Sequence, residues 1–173
     1  MVKINGPKKI NKTQSITAFL FFSVLYLDNA AAGPNTTFGD IIAGTYILTE
    51  NDDGGSRIVT ITADGNWFGT HSYQLNNKFS NQQGAWKKTA KRKITASTLN
   101  FSLLKDGVGS SLFNFTVEFD KAFQQVNGEL SGKLFPAGVD PLDPLAIPIK
   151  TFSNTFTGKR LVIADNWAFR KKI

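Results

Sequence analysis

The chain has 173 residues, 41% of them hydrophobic and 19% charged, with no cysteine, one histidine and a formal net charge of +7. That length suits one ordinary domain, and the hydrophobic fraction is too high for a disordered chain. Without cysteine there is no disulfide scaffold, thiolate metal site or thiol nucleophile, and one histidine excludes a His-rich metal centre.

Residues 1–15 carry Lys3, Lys8, Lys9 and Lys12 and no acid. An apolar run follows over residues 16–27, then Asp28, Asn29, three alanines and Gly33. A basic start, a short apolar core and small residues at Ala30 and Ala32 predict a secretory signal peptide cut after Ala32. Twelve apolar residues at 1.5 Å each reach about 18 Å, short of the ~30 Å hydrocarbon core of a bilayer. The mature domain is therefore expected to span 33–173 and to be secreted or periplasmic. Losing four lysines and one aspartate leaves 16 basic and 12 acidic residues, a net of +4. Much of the apparent basicity then belongs to export, and nucleic-acid binding is not expected.

After Gly33, alternation of apolar and polar residues replaces any helical period. Eight strands are predicted, near 43–51, 57–63, 66–74, 84–90, 92–104, 110–121, 124–135 and 149–163. Asp53-Gly54, Asp64-Gly65 and Asp106-Gly107 separate them with tight turns. Phe113, Phe115, Val117 and Phe119 share one face, each worth about 1.5–3 kcal/mol when buried, which sets that strand's register. Ile94 and Ala96 take one parity and Leu99, Phe101 and Leu103 the other, so a β-bulge near Thr98 and Leu99 is expected. Eight consecutive strands with short turns predict an all-β, eight-stranded antiparallel up-and-down barrel, with a two-sheet sandwich as the alternative. Residues 136–148 hold four of the six prolines and form a long connection, read either as a lid or as a stiff crossover.

Trp67, His71 and Tyr73 share a face of one strand, where they could stack and hydrogen-bond a planar ligand, and His71 could also act as a general base. Asn154, between Phe152 and Phe156, looks inward and must be hydrogen-bonded if buried. These four are the expected ligand-lining residues. Gly128 and Gly132 are inward by alternation, either leaving cavity volume or letting the strand coil. Residues 82–86 have two readings: Gly84 bends the chain before a strand and Trp86 plugs one barrel end, or Gln82 and Gln83 sit at the barrel mouth and orient a ligand. Lys87, Lys88, Lys91, Arg92 and Lys93, with the basic tail at Arg170, Lys171 and Lys172, form either solvated surface or a weak contact for an anionic envelope surface. No nucleotide, metalloprotease or nucleophile-elbow motif is present. Asp52, Asp53 and Asp64 read as turn residues rather than a calcium site. No cofactor is expected.

Gly44-Thr45-Tyr46 resembles the Gly-x-Trp of the first lipocalin strand, with tyrosine in place of tryptophan. Ala63-Asp-Gly, residues 80–88, Ile94-Thr-Ala96, residues 140–144 and residues 156–160 resemble small secreted bacterial proteins of uncharacterised activity. The resemblance implies a lipocalin-like or calycin-like barrel related to the allene oxide cyclase barrel, and it brings no activity. Three functions remain open: an exported barrel binding a small apolar or aromatic ligand, a cyclase- or isomerase-type enzyme using His71 or Glu118, and a solid envelope interaction protein. Glu118's parity places it outside the barrel, against the enzyme.

Overall fold

A computed structural model describes residues 36–163, except for the side chain of Leu75. The expected signal peptide and the basic tail lie outside the described residues. Eight antiparallel strands close into a barrel in simple sequence order, so the sandwich alternative is set aside. They are β1 (Gly44–Glu50), β2 (Ser56–Ile61), β3 (Asn66–His71), β4 (Gln82–Ala90), β5 (Lys93–Leu104), β6 (Gly107–Phe119), β7 (Gln125–Phe135) and β8 (Lys150–Arg160). β1 pairs with both β2 and β8, and this closure leaves no strand edge open for association.

Two helices were not anticipated: α1 (Phe38–Ile42) and α2 (Gln74–Asn77). Both are too short to show a helical period. α1 starts at a reciprocal cap, in which Thr37 Oγ1 accepts from the Asp40 N–H while Asp40 accepts from the Thr37 N–H at 2.8 Å. Gly39 faces Ala63 so closely that a Cβ would lie 2.3 Å from the Ala63 carbonyl oxygen, so the helix can settle on this end only with glycine there. Phe38 then meets Trp86, Phe119 and Phe123 edge-on, at ring separations of 6.2–6.3 Å. Trp86 donates its indole N–H to the Thr62 carbonyl at 2.9 Å.

That half of the interior is filled. Trp67 stacks on Phe115 at 5.1 Å, Tyr46 meets Phe119 at 5.9 Å, and Leu48, Val59, Ile94, Val117 and Phe156 pack among them. The Tyr46 hydroxyl donates to the Ile42 carbonyl at 2.8 Å, joining the core to α1. At about 1.5–3 kcal/mol per large apolar side chain, this half anchors the barrel.

The expected bulge at Thr98 and Leu99 does not form. β5 pairs with β6 in unbroken register from Lys93↔Glu118 to Leu104↔Gly107, and the irregularity lies instead between Lys88 and Ala90 of β4. Alternation therefore continues through the change in apolar parity. Ile94, Ala96, Thr98 and Asn100 face inward, while Phe101 and Leu103 stand exposed on the outer wall. β5 therefore contributes polar side chains, Asn100 and Ser102, to the inside of the other half of the barrel.

Two glycine questions are resolved by side-chain volume. A Cβ at Gly132 would lie 2.5 Å from the Phe113 ring and 3.2 Å from the Phe152 ring, and one at Gly128 would lie 2.6 Å from the Phe156 ring. The space these glycines leave is occupied by rings. Gly84 does not mark a bend but a close approach of strands, since a Cβ there would meet the Ser97 carbonyl oxygen at 2.0 Å. The 136–148 connection leaves β7 at Pro136 and returns to β8 through two Asx-type turns, at Asp140 and Asp143, each accepting a backbone N–H two residues on at 2.8 Å.

Candidate functional site

At the end of the barrel away from α1, the interior opens into a pocket of about 660 Å³. The β1–β2 turn, the connection from β3 to β4, the β5–β6 hairpin and the start of β8 surround it. Larger hollows of about 880 and 800 Å³ lie on the outer wall, the first over Ile47 and Lys159, the second beside the 136–148 connection. Buried ionisable groups distinguish the interior pocket, so its chemistry rather than its size marks it.

Glu50 and Arg57 end the inward faces of two paired strands. On β1 the inward residues are Tyr46, Leu48 and Glu50; on β2 they are Arg57, Val59 and Ile61. Register sets Arg57 opposite Leu48, within reach of Glu50. Arg57 Nε donates to Glu50 Oε1 at 2.6 Å, and Arg57 Nη1 donates to Gln82 Oε1 at 3.1 Å. The guanidinium lies 5.4 and 5.6 Å from the Phe113 and Phe115 ring centres, so its faces rest on the aromatic floor while its edge is hydrogen-bonded.

His71, the last residue of β3, completes the cluster. Its Nδ1 accepts the Tyr73 backbone N–H at 3.0 Å, which leaves Nε2 to carry the proton and donate to Glu50 Oε1 at 3.3 Å. Gly55 leaves room for the ring, because a Cβ there would lie 3.2 Å from it. The Tyr73 hydroxyl donates to the Asp53 carbonyl at 3.0 Å and ties the β1–β2 turn to the same corner.

Burial would push the Glu50 carboxyl up, but the His71 hydrogen bond, the Arg57 charge and the Arg57 hydrogen bond together outweigh it and hold the group below its ordinary range. Arg57 is drawn down by burial, against the pull of Glu50 in the other direction. The pair is thus a buried ion pair, supported by hydrogen bonds from the His71 ring and the Asn154 amide.

Of the four residues expected to line a ligand site, His71, Tyr73 and Asn154 border this pocket and Trp67 does not. Trp67 is 1% exposed in the filled half, beneath the pocket and stacked on Phe115. Asn154 Nδ2 donates to Glu50 Oε2 at 3.1 Å and to Asp52 Oδ1, and its own oxygen accepts the Thr155 N–H. The amide therefore braces the carboxylates. Carboxylate oxygens of Glu50, Asp52 and Asp53 lie within 4.8 Å of one another. Arg57, His71 and Asn154 already donate to this group, which is chemistry for an anion in a hydrogen-bonded network.

Sequence reasoning missed Glu50, Arg57, Asn100 and Ser111, all buried. A signal existed for the first two: each is a charged residue on the apolar parity of its strand. Gln82, read as a possible mouth residue, lies in the pocket, whereas Gln83 is on the outer wall. Glu118 is outside, as its parity implied, and pairs with Lys93 at 3.2 Å. In the basic turn, Lys88 covers the Phe38 ring at 4.5 Å and Arg92 donates to the Phe119 carbonyl at 3.1 Å, leaving Lys87 and Lys91 turned to solvent.

No protein-family model and no curated protein matches the chain. Among solved structures, the chain is similar to the X-ray structure of a biotin-binding protein from chicken. The two are 15% identical, the match covers 70% of this chain and 98% of that one, and the TM-score is 0.42.

Proposed function

We propose that this chain is an exported binding protein that takes a small planar aromatic ligand into the open end of its barrel. One observation carries the reading: aromatic rings and a fixed polar cluster converge on a single interior pocket. Phe113 and Phe152 stack at 5.8 Å with 24° between their planes, and they share the pocket with the Glu50–Arg57–His71 cluster. The volume, about 660 Å³, lies in the range of small-molecule sites, and aromatic walls with a few placed polar groups are their usual lining. Three carboxylates, Glu50, Asp52 and Asp53, stand against Arg57 and Lys150 around the pocket, which favours a neutral ligand over an anionic one.

The enzyme alternative built on His71 lacks a free base. Both ring nitrogens are engaged within the protein, one accepting from Tyr73 and one donating to Glu50. Its geometry suits positioning of the carboxylate rather than proton abstraction from a ligand.

Titration of the ¹⁵N-labelled protein with a panel of bicyclic aromatics tests the reading. Amide shifts are expected at Ser102, Ser111 and Phe152, which border the pocket. Ser102→Trp, which fills the pocket from β5, should abolish them. Shifts that persist unchanged in that variant, or that fall only on the outer wall, overturn the assignment. Export rests on the leader pattern of residues 1–32. An intact mass beginning at Gly33 in the exported fraction supports it, and retention of the leader refutes it.

A further inference from the structure

His71 is the one histidine of the chain, buried at the pocket with both ring nitrogens engaged. The two engagements differ in kind. Nδ1 accepts the Tyr73 backbone N–H at 3.0 Å. A backbone N–H can only donate, so this contact needs a lone pair on Nδ1. Nε2 stands 3.3 Å from Glu50 Oε1, where the carboxylate accepts the N–H of the ring. A second proton on the ring leaves the Glu50 contact in place and sets an N–H at Nδ1 against the N–H of Tyr73. Turning the ring over gives no relief, since both nitrogens then carry hydrogen. The Tyr73 contact must break.

That contact holds part of the pocket rim. The connection from β3 to β4 is pinned to the sheet at both ends. At Ser72 its N–H donates to the Ser56 carbonyl at 2.8 Å and its Oγ accepts the Ser56 N–H at 3.0 Å. At the other end the Lys78 carbonyl accepts from Leu103 at 3.0 Å, and the Ser80 N–H donates to the Phe101 carbonyl at 2.8 Å. Between these pins, Tyr73 rests on His71 Nδ1 through its N–H and on the Asp53 carbonyl through its hydroxyl. Gln74 meets the His71 N–H at 3.5 Å and donates to Asn81 Oδ1 at 2.9 Å. α2 starts at Tyr73 without a side-chain cap and ends at Lys78 in the left-handed conformation, φ +51°. Tyr73 and Phe79 flank the His71 ring at 5.2 and 5.8 Å, and with Asn77 they border the pocket.

We infer that His71 is a proton-operated latch on the pocket mouth: a second proton, taken up at Nδ1, releases Tyr73 and lets residues 73–77 move off the rim. The closed arrangement has no place for that proton and the open one does, so acid draws the population towards the open form. Charged groups face the ring from each neighbouring element. β1 supplies Glu50, and β2 supplies Arg57, which Glu50 and Gln82 engage. The β1–β2 turn supplies Asp53, whose Oδ1 accepts the Gly55 N–H at 2.8 Å beside the ring. Asp52, held by Asn154, and Lys150, over the Phe152 ring at 5.0 Å, border the same pocket. Glu50 keeps Nε2 in both states, so the ring stays in place and the segment moves. In the binding function proposed above, a ligand is then retained above the transition and released below it.

NMR of the purified protein as pH is lowered tests the latch. With a single histidine, the ring Cε1–H resonance reports the titration of His71 directly. The Tyr73 backbone amide reports the latch through its shift and its protection against hydrogen exchange. The Asn77 amide, which donates to the Tyr73 carbonyl at 2.9 Å, reports α2. Protection at both is expected to fall about tenfold or more, the scale of one lost hydrogen bond, at the midpoint of the His71 ring. Phe115 and Val117, in the filled half, should keep theirs. His71→Asn sets an amide oxygen where Nδ1 stands and does not titrate, so protection at Tyr73 should stay constant over the same range. Tyr73 protection that survives the His71 titration, or that falls at a different midpoint, overturns the latch, as does an unchanged pH response in His71→Asn. If that variant does not fold, the comparison of midpoints in the unaltered chain decides alone. No ligand takes part, so failure here leaves the binding function standing, and failure of the aromatic panel leaves the latch standing.

Discussion

Glu50→Gln strands a guanidinium inside the barrel. Arg57 is 7% exposed and meets Glu50 at 2.6 Å, with its faces against Phe113 and Phe115. Removing one partner of a buried ion pair costs about 3–5 kcal/mol, because the remaining charge stays desolvated. Glutamine still offers an oxygen to Arg57 Nε, so the lower end, about 3 kcal/mol, is expected. For a barrel of about 130 residues, an unfolding entropy of about 2.1 cal/mol/K per residue converts this to a fall in Tm of about 11 °C. The double variant Glu50→Gln/Arg57→Met removes the stranded charge and should recover much of the loss, so the two substitutions couple strongly in a double-mutant cycle. The pH dependence adds an independent check. The folded carboxyl is held below its ordinary value of 4.5, so its stabilisation is complete above the unfolded value and drains away as pH falls through the lower folded one. The Tm difference between wild type and Glu50→Gln should therefore be full at neutral pH and shrink in acid. Calorimetric melts across that pH range measure it. A variant melting within about 3 °C of wild type at neutral pH, or a gap that does not change with pH, refutes the ion-pair argument.

Other expectations follow from the packing. Gly132→Ala places a Cβ 2.5 Å from the Phe113 ring, and thermal denaturation should show a loss of about 1–3 kcal/mol together with weakened aromatic binding. Tyr46→Phe leaves the buried Ile42 carbonyl without its 2.8 Å partner and should cost about 1 kcal/mol in urea unfolding, with the fold retained. Thr37→Ala removes the acceptor for the Asp40 N–H, and hydrogen exchange should speed up over α1 while the barrel strands keep their protection. Glu118→Gln breaks an exposed pair on the outer wall and should leave Tm within about 3 °C of wild type, a direct contrast with Glu50→Gln.

Local signals made the barrel legible. Asp64-Gly65 reads as a turn because glycine tolerates the φ of +100° found there, and the β2–β3 hairpin closes on it. Phe113, Phe115, Val117 and Phe119 fix the inward face of β6 by alternation alone. Alternation states that two sets of residues face opposite ways; it does not state which set is inside when both contain apolar groups. That ambiguity produced the bulge expected at Thr98 and Leu99. The structure keeps one parity throughout β5 and places Phe101 and Leu103 outside. Trp67 was expected beside a ligand because it shares a strand face with His71; that face is inward, but Trp67 lies deep in the filled half, and alternation does not set depth along the barrel.

The strands, their order and the places where the chain turns depend on residues close together in the chain, and alternation and turn residues reveal them without the fold. Only closure of the barrel decided which polar residues meet. Glu50, Arg57, His71 and Gln82 come from four strands and converge through register, and Asn154 reaches Glu50 across 104 positions of sequence. Burying a charge is tolerable only where partners arrive from elsewhere in the fold, so the site exists as a property of the closed sheet rather than of any segment of it.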